Sequence, residues 1–172
     1  MYQSIFKTAW GYGTVLATEA GICKIDLPTV NPVTISGSKD NIHQSSPLTE
    51  QVVDMLRIYF LGQKQAFEAV PVDLGSVTQF RAEILSFIRS IPYGETRSYG
   101  QVSLMAGSPG AARAVGGAMA SNPIPVIVPC HRVIAADGRL TGFTAPGGLV
   151  LKKILLQAEG IEFKGERVLV GN

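Results

Sequence analysis

The chain has 172 residues, 46% of them hydrophobic and 16% charged, with a formal net charge of +2; it is long enough to bury a core as one domain or two small ones, and reads as globular, soluble and compact. No apolar run approaches the length of a membrane span, and residues 1–7 lack the charged, apolar and cleavage regions of a signal peptide, so a cytoplasmic address with no membrane partner is expected. Cys23 and Cys130 are far apart in sequence and offer neither a disulfide framework nor metal-ligand spacing; His43 with Cys23 would supply only half of a zinc site, so free thiols and no metal are expected.

Charge is divided unevenly: residues 1–75 carry five Lys/Arg against seven Asp/Glu, and residues 76–172 carry ten against six. Cations therefore gather in the half that holds Cys130, which is compatible with a nucleic-acid face, although many enzymes of neutral substrates are similar.

The first third has β character. Residues 12–18 and 22–27 are rich in β-branched and apolar side chains, and Glu19, Ala20 and Gly21 suit a hairpin connection. Cys23 falls in the second strand, where a packed core thiol is the stronger reading. Residues 28–46 are rich in Pro, Ser, Asn and Gly and read as loop, with His43 a solvated loop histidine. Ser46 followed by Pro47 marks a helix start, and Leu48, Val52, Met55, Leu56, Tyr59 and Phe60 recur at helical spacing up to Gly62, an amphipathic helix laid on the sheet. One more strand is expected over 70–74. The boundary then falls near Gly75, giving an N-terminal β-rich domain over 1–76 and a C-terminal domain over 77–172.

Beyond it the pattern turns helical. Thr78 is placed to cap a helix whose Phe80, Ile84, Leu85, Ile88 and Ile91 form the buried stripe, ending before Pro92. Ser98 with Gln101 makes a capping box that puts Tyr99 at the start of a short helix stopping at Gly107. Ser108 and Pro109 signal a second helix after a two- or three-residue turn, a pairing like a helix-turn-helix. This second helix, 110–120, carries Gly116 and Gly117 in its interior, at about 1 kcal/mol each relative to alanine. Tight helix packing and contact with a ligand are equally good reasons for such small residues. Arg113 favours the second, because it is the helix's only charge and has nothing bulky beside it.

Asn122, between Ser121 and Pro123, is set to hold a turn with its side-chain amide, and the prolines at 123 and 125 stiffen the connection into 127–134. That stretch, Ile-Val-Pro-Cys-His-Arg-Val-Ile, reads as a buried strand in which Cys130 alone would be a small core hydrophobe. A thiol next to one of only two histidines also suggests a thiolate nucleophile. In an extended strand, however, neighbouring side chains point to opposite faces, so His131 would need a water relay or a bend at Cys130 to act on it. Asp137-Gly138 signals a hairpin, residues 141–148 a loop able to form a pocket wall, and the last helix runs from about 148 to 159 with Leu149, Ile154, Leu155 and Ala158 buried and Lys152 and Lys153 partly exposed. Glu159 lies at the wrong end of that helix for its macrodipole; simple solvation or a partner would each account for it.

Pro129-Cys130-His131-Arg132-Val133, preceded by the 113–119 stretch and by Asn122-Pro123-Ile124-Pro125, resembles the active-site region of the O6-alkylguanine-DNA alkyltransferases, and the similarity runs from about 80 to 160. The resemblance implies an α+β protein: a small ribonuclease-H-like α/β domain, then a mostly helical, winged-helix-like DNA-binding domain that carries the active site. It implies a stoichiometric methylated-DNA–protein-cysteine methyltransferase in which Cys130 takes the alkyl group from O6 of a flipped guanine in double-stranded DNA, irreversibly and once per molecule. His131 and Glu159 match the family's proton relay through a water, Tyr99 the residue that assists nucleotide rotation and donates towards the leaving guanine, and Asn122 the hinge asparagine. Arg113 matches the finger that fills the vacated stack, on a helix whose Ala111, Ala112 and Gly116 would lie against the minor groove. Met119, Val133, Phe143 and Thr144 match the alkylguanine pocket. The loop over 142–148 is longer than in many members, and Phe143 stands where many carry tyrosine. No cofactor is implied, and a monomer in solution is expected, with cooperativity on DNA left open.

Two other readings are distinct from this one. Alkyltransferase-like proteins bind damaged guanine without transfer, but they lack the cysteine that this chain has at 130. A thiol hydrolase or redox enzyme would use Cys130 and His131 on small substrates, yet neither a resolving cysteine nor a nucleophile elbow is visible.

Overall fold

The β-branched and apolar residues of the first 29 positions build a three-stranded antiparallel meander, β1 (Tyr2–Thr8), β2 (Gly11–Ala17) and β3 (Ile22–Thr29), in the order β1-β2-β3. The computed structural model describes residues 1–29 and 44–169, and the chain divides into two compact units, Met1–Ser76 and Val77–Asn172. His43 and most of the expected 28–46 loop lie outside the described residues, while Pro28 and Thr29 extend β3.

β1 goes unread in the sequence because positions 4 and 5 reverse the usual polarity, although Phe6 is buried as an apolar residue should be. Ser4 is buried and Ile5 is 46% exposed. Ser4 Oγ lies 2.8 Å from both Thr49 Oγ1 and Glu50 Oε1 on α1 (Pro47–Phe60), so a hydrogen-bonded hydroxyl fills a position where a strand normally places an apolar group. α1 forms as expected, with a capping box between Ser46 and Thr49, Pro47 in its first turn, and Val52, Val53, Leu56 and Tyr59 buried. Gly13 is required by packing: a β-carbon there would stand 2.5 Å from the Phe6 ring.

The strand expected over 70–74 shrinks to one parallel bridge between Ile22 and Val72, after a short 3-10 turn at Phe67–Ala69. Pro71 has no N–H to offer a ladder, and Asp73 turns its carboxylate to Thr18 Oγ1 and the Gly75 amide, which leads the chain away from the sheet.

The second unit is mostly helical: α2 (Gln79–Arg89), β4 (Arg97–Ser98), α3 (Tyr99–Met105), α4 (Ala112–Ala120), β5 (Val133–Ile134), α5 (Gly148–Ala158) and a terminal hairpin of β6 (Phe163–Lys164) and β7 (Arg167–Val168). α2 buries Ile84, Leu85 and Ile88, but Phe80, expected in the stripe, is 48% exposed because the first turn projects beyond the core. Thr78 has the extended backbone of a cap without a side-chain capping bond, and Ile91 is buried beyond the helix end.

α3 packs on α4, and α2 on both. The link between α3 and α4 is longer than expected. Pro109 does not open α4; Gly110 at φ +83° and a non-helical Ala111 delay it to Ala112. Asp137-Gly138 does make a tight turn, with Gly138 at φ +82°, but β5 pairs in parallel with β4 and Arg139 bridges Arg167. Among the described residues no helix is long and apolar enough to cross a membrane.

Candidate active site

The 127–134 stretch is not a continuous strand. Pro129 adopts φ −79°, ψ 64°, the values of an inverse γ-turn, and the Cys130 amide donates back to Val128 O at 2.8 Å. Cys130–Arg132 then form one turn of 3-10 helix, with the Arg132 amide donating to Pro129 O at 2.9 Å, and extended pairing returns only at β5. A proline with fixed φ and no N–H breaks the run. This is the bend that brings Cys130 and His131 out of strand alternation. Just upstream, Val126 sits at φ 74°, a left-handed conformation that costs a β-branched residue about 1–3 kcal/mol. The surrounding bonds hold it there: Asn122 Nδ2 donates to Val128 O at 2.9 Å, Asn122 Oδ1 accepts from the Ile124 amide at 3.0 Å, and the Val128 amide donates to Ile124 O at 2.9 Å.

Cys130 is 5% exposed. Burial pushes its thiol above the ordinary range, and the Asn122 amide, the Lys152 ammonium and the amides of residues 130 and 131 act against that. His131 is buried, with Nε2 2.8 Å from Glu159 Oε1. A carboxylate at that distance keeps the proton of a neutral ring on Nε2 and leaves Nδ1, also buried, as the basic nitrogen. Burial lowers the proton affinity of the ring and Glu159 raises it; Arg132 and Lys152 add to the lowering.

Glu159 caps the C-terminus of α5 and its carboxylate is fully enclosed. Burial alone would raise its pKa, but hydrogen bonds and charge from His131 and Arg132 hold it well below the usual carboxylate range. Arg132 grips it with two bonds, Nε to Oε2 at 2.8 Å and Nη2 to Oε1 at 2.9 Å, and the Gly94 amide adds a third at 3.2 Å. The same guanidinium donates to Ile91 O at 2.6 Å and lies over the Tyr93 ring at 5.8 Å. The carboxylate that looked misplaced on its helix is thus the centre of a buried ionic cluster.

The other expected residues fall around this centre. Tyr99 opens α3 behind the Ser98–Gln101 capping box; its hydroxyl donates to Thr141 O and accepts from Thr141 Oγ1, both at 3.3 Å. Arg113 is exposed on α4, Ala111, Ala112 and Gly116 are half-buried, and Met119 is buried. Val133 is fully buried, Phe143 half-buried, and the exposed Thr144 donates from Oγ1 to Ala120 O at 3.3 Å.

Two residues were given no role on sequence. On sequence, Arg132 is only one residue of the motif around Cys130. Lys152 was expected to be partly exposed, yet it is fully buried, with Nζ donating to Val133 O at 2.6 Å and Thr141 O at 2.7 Å. Leu149, expected inside, is 45% exposed. The buried face of α5 is Leu151, Lys152, Leu155, Leu156 and Glu159, a helical spacing that reads the lysine and the glutamate as inward-facing once Leu151 is taken as its start. Among the described residues no group of three or more His, Cys, Asp or Glu is placed to hold a metal ion.

Residues 79–161 match the family model of the 6-O-methylguanine DNA methyltransferase DNA-binding domain, and residues 1–74 that of the ribonuclease-like domain of the same family. Over 107 residues the chain is 50% identical to a methylated-DNA–protein-cysteine methyltransferase of Mycobacterium tuberculosis, a match that spans 62% of each chain. It is 35% identical over 165 residues to the one of Methanosarcina acetivorans, covering 93% of this chain and 99% of that relative. Among solved structures, Mycobacterium tuberculosis OGT in complex with DNA is similar at a TM-score of 0.75 and 36% identity over 92% of both chains. With both family domains matched in order and one relative covered almost end to end, the chain belongs to the O6-alkylguanine-DNA alkyltransferases, the methylated-DNA–protein-cysteine methyltransferase family.

Proposed function

We propose that the protein repairs DNA by moving the alkyl group from O6 of an alkylated guanine to Cys130, once per molecule. The observation that carries this reading is the buried cluster of Cys130, His131 and Glu159, in which an ionised carboxylate orients an imidazole next to a thiol. The Cys130 proton passes through a water to His131 Nδ1, and the imidazolium so formed is stabilised by Glu159. The thiolate attacks the alkyl carbon in line with the C–O bond; a C–S bond forms, the C–O bond breaks, and the electron pair goes to the guanine. Tyr99 donates towards that base as charge develops, and Asn122 holds the turn that presents the sulfur. A thioether is a poor leaving group, so the protein is spent. The acceptor is the protein's own sulfur, and the scheme calls for no cofactor or metal.

Two features of α4 support duplex DNA as the partner. A β-carbon at Gly117 would meet nothing within 4 Å and one at Gly116 only an ordinary contact, so packing within the protein does not require either glycine. A close-approaching minor-groove backbone does, and it sets the exposed Arg113 to fill the gap left by a flipped nucleotide. Met119, Val133, Phe143 and Thr144 then wall the pocket for the extruded base. The protein acts in the cytoplasm as a monomer. With a molar excess of O6-methylguanine duplex, repaired guanine should reach one equivalent and stop; continued turnover would refute the scheme.

A further inference from the structure

Lys152 spans the site. Its two acceptor carbonyls belong to different segments: Val133 follows the Cys130–Arg132 turn and donates its own amide to Cys130 O, while Thr141 O is also the acceptor of the Tyr99 hydroxyl. The ammonium holds Thr141 O at 2.7 Å and the phenol only at 3.3 Å, so the cation is the stronger claimant on that oxygen. A buried cation needs a counter-charge. Among the described residues, Cys130 and His131 on the 3-10 turn are the ionisable groups that interact electrostatically with Lys152, and Tyr99 is reached through Thr141 O. Glu159 is committed to His131 and Arg132, which leaves the Cys130 sulfur as the negative charge that Lys152 can match. Burial pulls the Lys152 ammonium down to about 8, even with charge on Cys130 acting in the opposite direction.

We propose that Lys152 is a positioning residue coupling nucleophile to proton donor: its ammonium stabilises the Cys130 thiolate and, by occupying the Thr141 carbonyl, releases the Tyr99 hydroxyl to the departing base. This rests on the roles given above to Cys130 and Tyr99.

The test compares Lys152→Met and Lys152→Arg in two reactions, alkylation of Cys130 by iodoacetamide, which needs no Tyr99, and transfer from an O6-methylguanine duplex. In Lys152→Met the iodoacetamide profile should move up by about one pH unit, a roughly tenfold loss at neutral pH, and Lys152→Arg should recover most of it. Duplex transfer should fall further, and that extra loss should disappear in a Tyr99→Phe background. A folded Lys152→Met protein with an unmoved iodoacetamide profile would overturn the proposal, as would effects of the Lys152 and Tyr99 substitutions that simply multiply. If the methionine variant does not fold, NMR titration of the Lys152 Cε in the wild type and in Cys130→Ser decides: titration at lower pH in the serine variant is expected, and identical curves contradict the coupling. Wild-type protein that transfers nothing would overturn the functional reading and the Tyr99 half with it, while the iodoacetamide profile still decides the thiolate half.

Discussion

Glu159 Oε1 accepts hydrogen bonds from both His131 Nε2 and Arg132 Nη2, at 2.8 and 2.9 Å, with no solvent reaching the carboxylate. One oxygen thus serves a neutral base and a permanent cation. The arrangement keeps the carboxylate ionised while the imidazole remains the group that can take a proton.

Substituting Glu159→Gln should leave the Arg132 charge buried without its partner. Breaking a buried pair costs about 3–5 kcal/mol, to be read as a drop in urea-unfolding free energy at neutral pH. The pH dependence follows from the same bonds. Glu159 has a folded pKa below its unfolded one, so its contribution is full above about pH 4.3 and is lost as the pH falls through the folded value. His131 is likewise depressed, here by burial first, so the stability tied to its neutral ring is present above about pH 6.5 and is lost on acidification. Wild-type stability should therefore decline in two stages towards acid, and the lower stage should be missing in Glu159→Gln.

Asn122→Ala removes the donor to Val128 O and the acceptor for the Ile124 amide, beside the strained Val126. A loss of about 1–3 kcal/mol is expected in thermal or urea unfolding. Because the amide also opposes the burial penalty on the thiol, Cys130 in this variant should react more slowly with iodoacetamide at neutral pH.

Arg113→Ala should separate folding from DNA handling. The side chain is exposed on α4, so stability should change by no more than about 0.5 kcal/mol. Transfer from a duplex should slow by roughly tenfold or more, the value of one lost stacking contact, while iodoacetamide reactivity stays at the wild-type level.

Gly142→Ala tests Tyr99 indirectly. The position has φ +53°, and a β-carbon there would lie 2.8 Å from the Tyr99 hydroxyl, so the ring must move. A stability loss of about 1 kcal/mol is expected from the left-handed backbone. Slower duplex transfer with unchanged thiol chemistry would locate the damage at Tyr99.

Local signals were the legible ones. Ser46 and Ser98 announce α1 and α3 because a cap acts within one turn of its own helix; the Ser98–Gln101 box forms as read, and the Ser46 cap gains a reciprocal bond from Thr49 that the sequence reading did not include. The 127–134 stretch misled because apolar composition says buried without saying extended, and Pro129 sets the geometry. The partners of Glu159 were open in sequence because they come from 27 and 28 residues away, and Arg132 was missed because its acceptors are a distant carboxylate and the carbonyl of Ile91. Lys152 escaped for a related reason: a lysine is read as solvated unless carbonyls enclose it, and those of Val133 and Thr141 come together only in the fold. The motif around Cys130 is specific enough to imply a family without any of these contacts.

The most direct measurement is the intact and peptide mass of the protein after incubation with an O6-methylguanine duplex, run beside Cys130→Ser. The wild type should gain the mass of one methylene on the peptide that contains Cys130, and the serine variant none while still binding the duplex. An unchanged wild-type mass, or a methyl group that still arrives in Cys130→Ser, would contradict it.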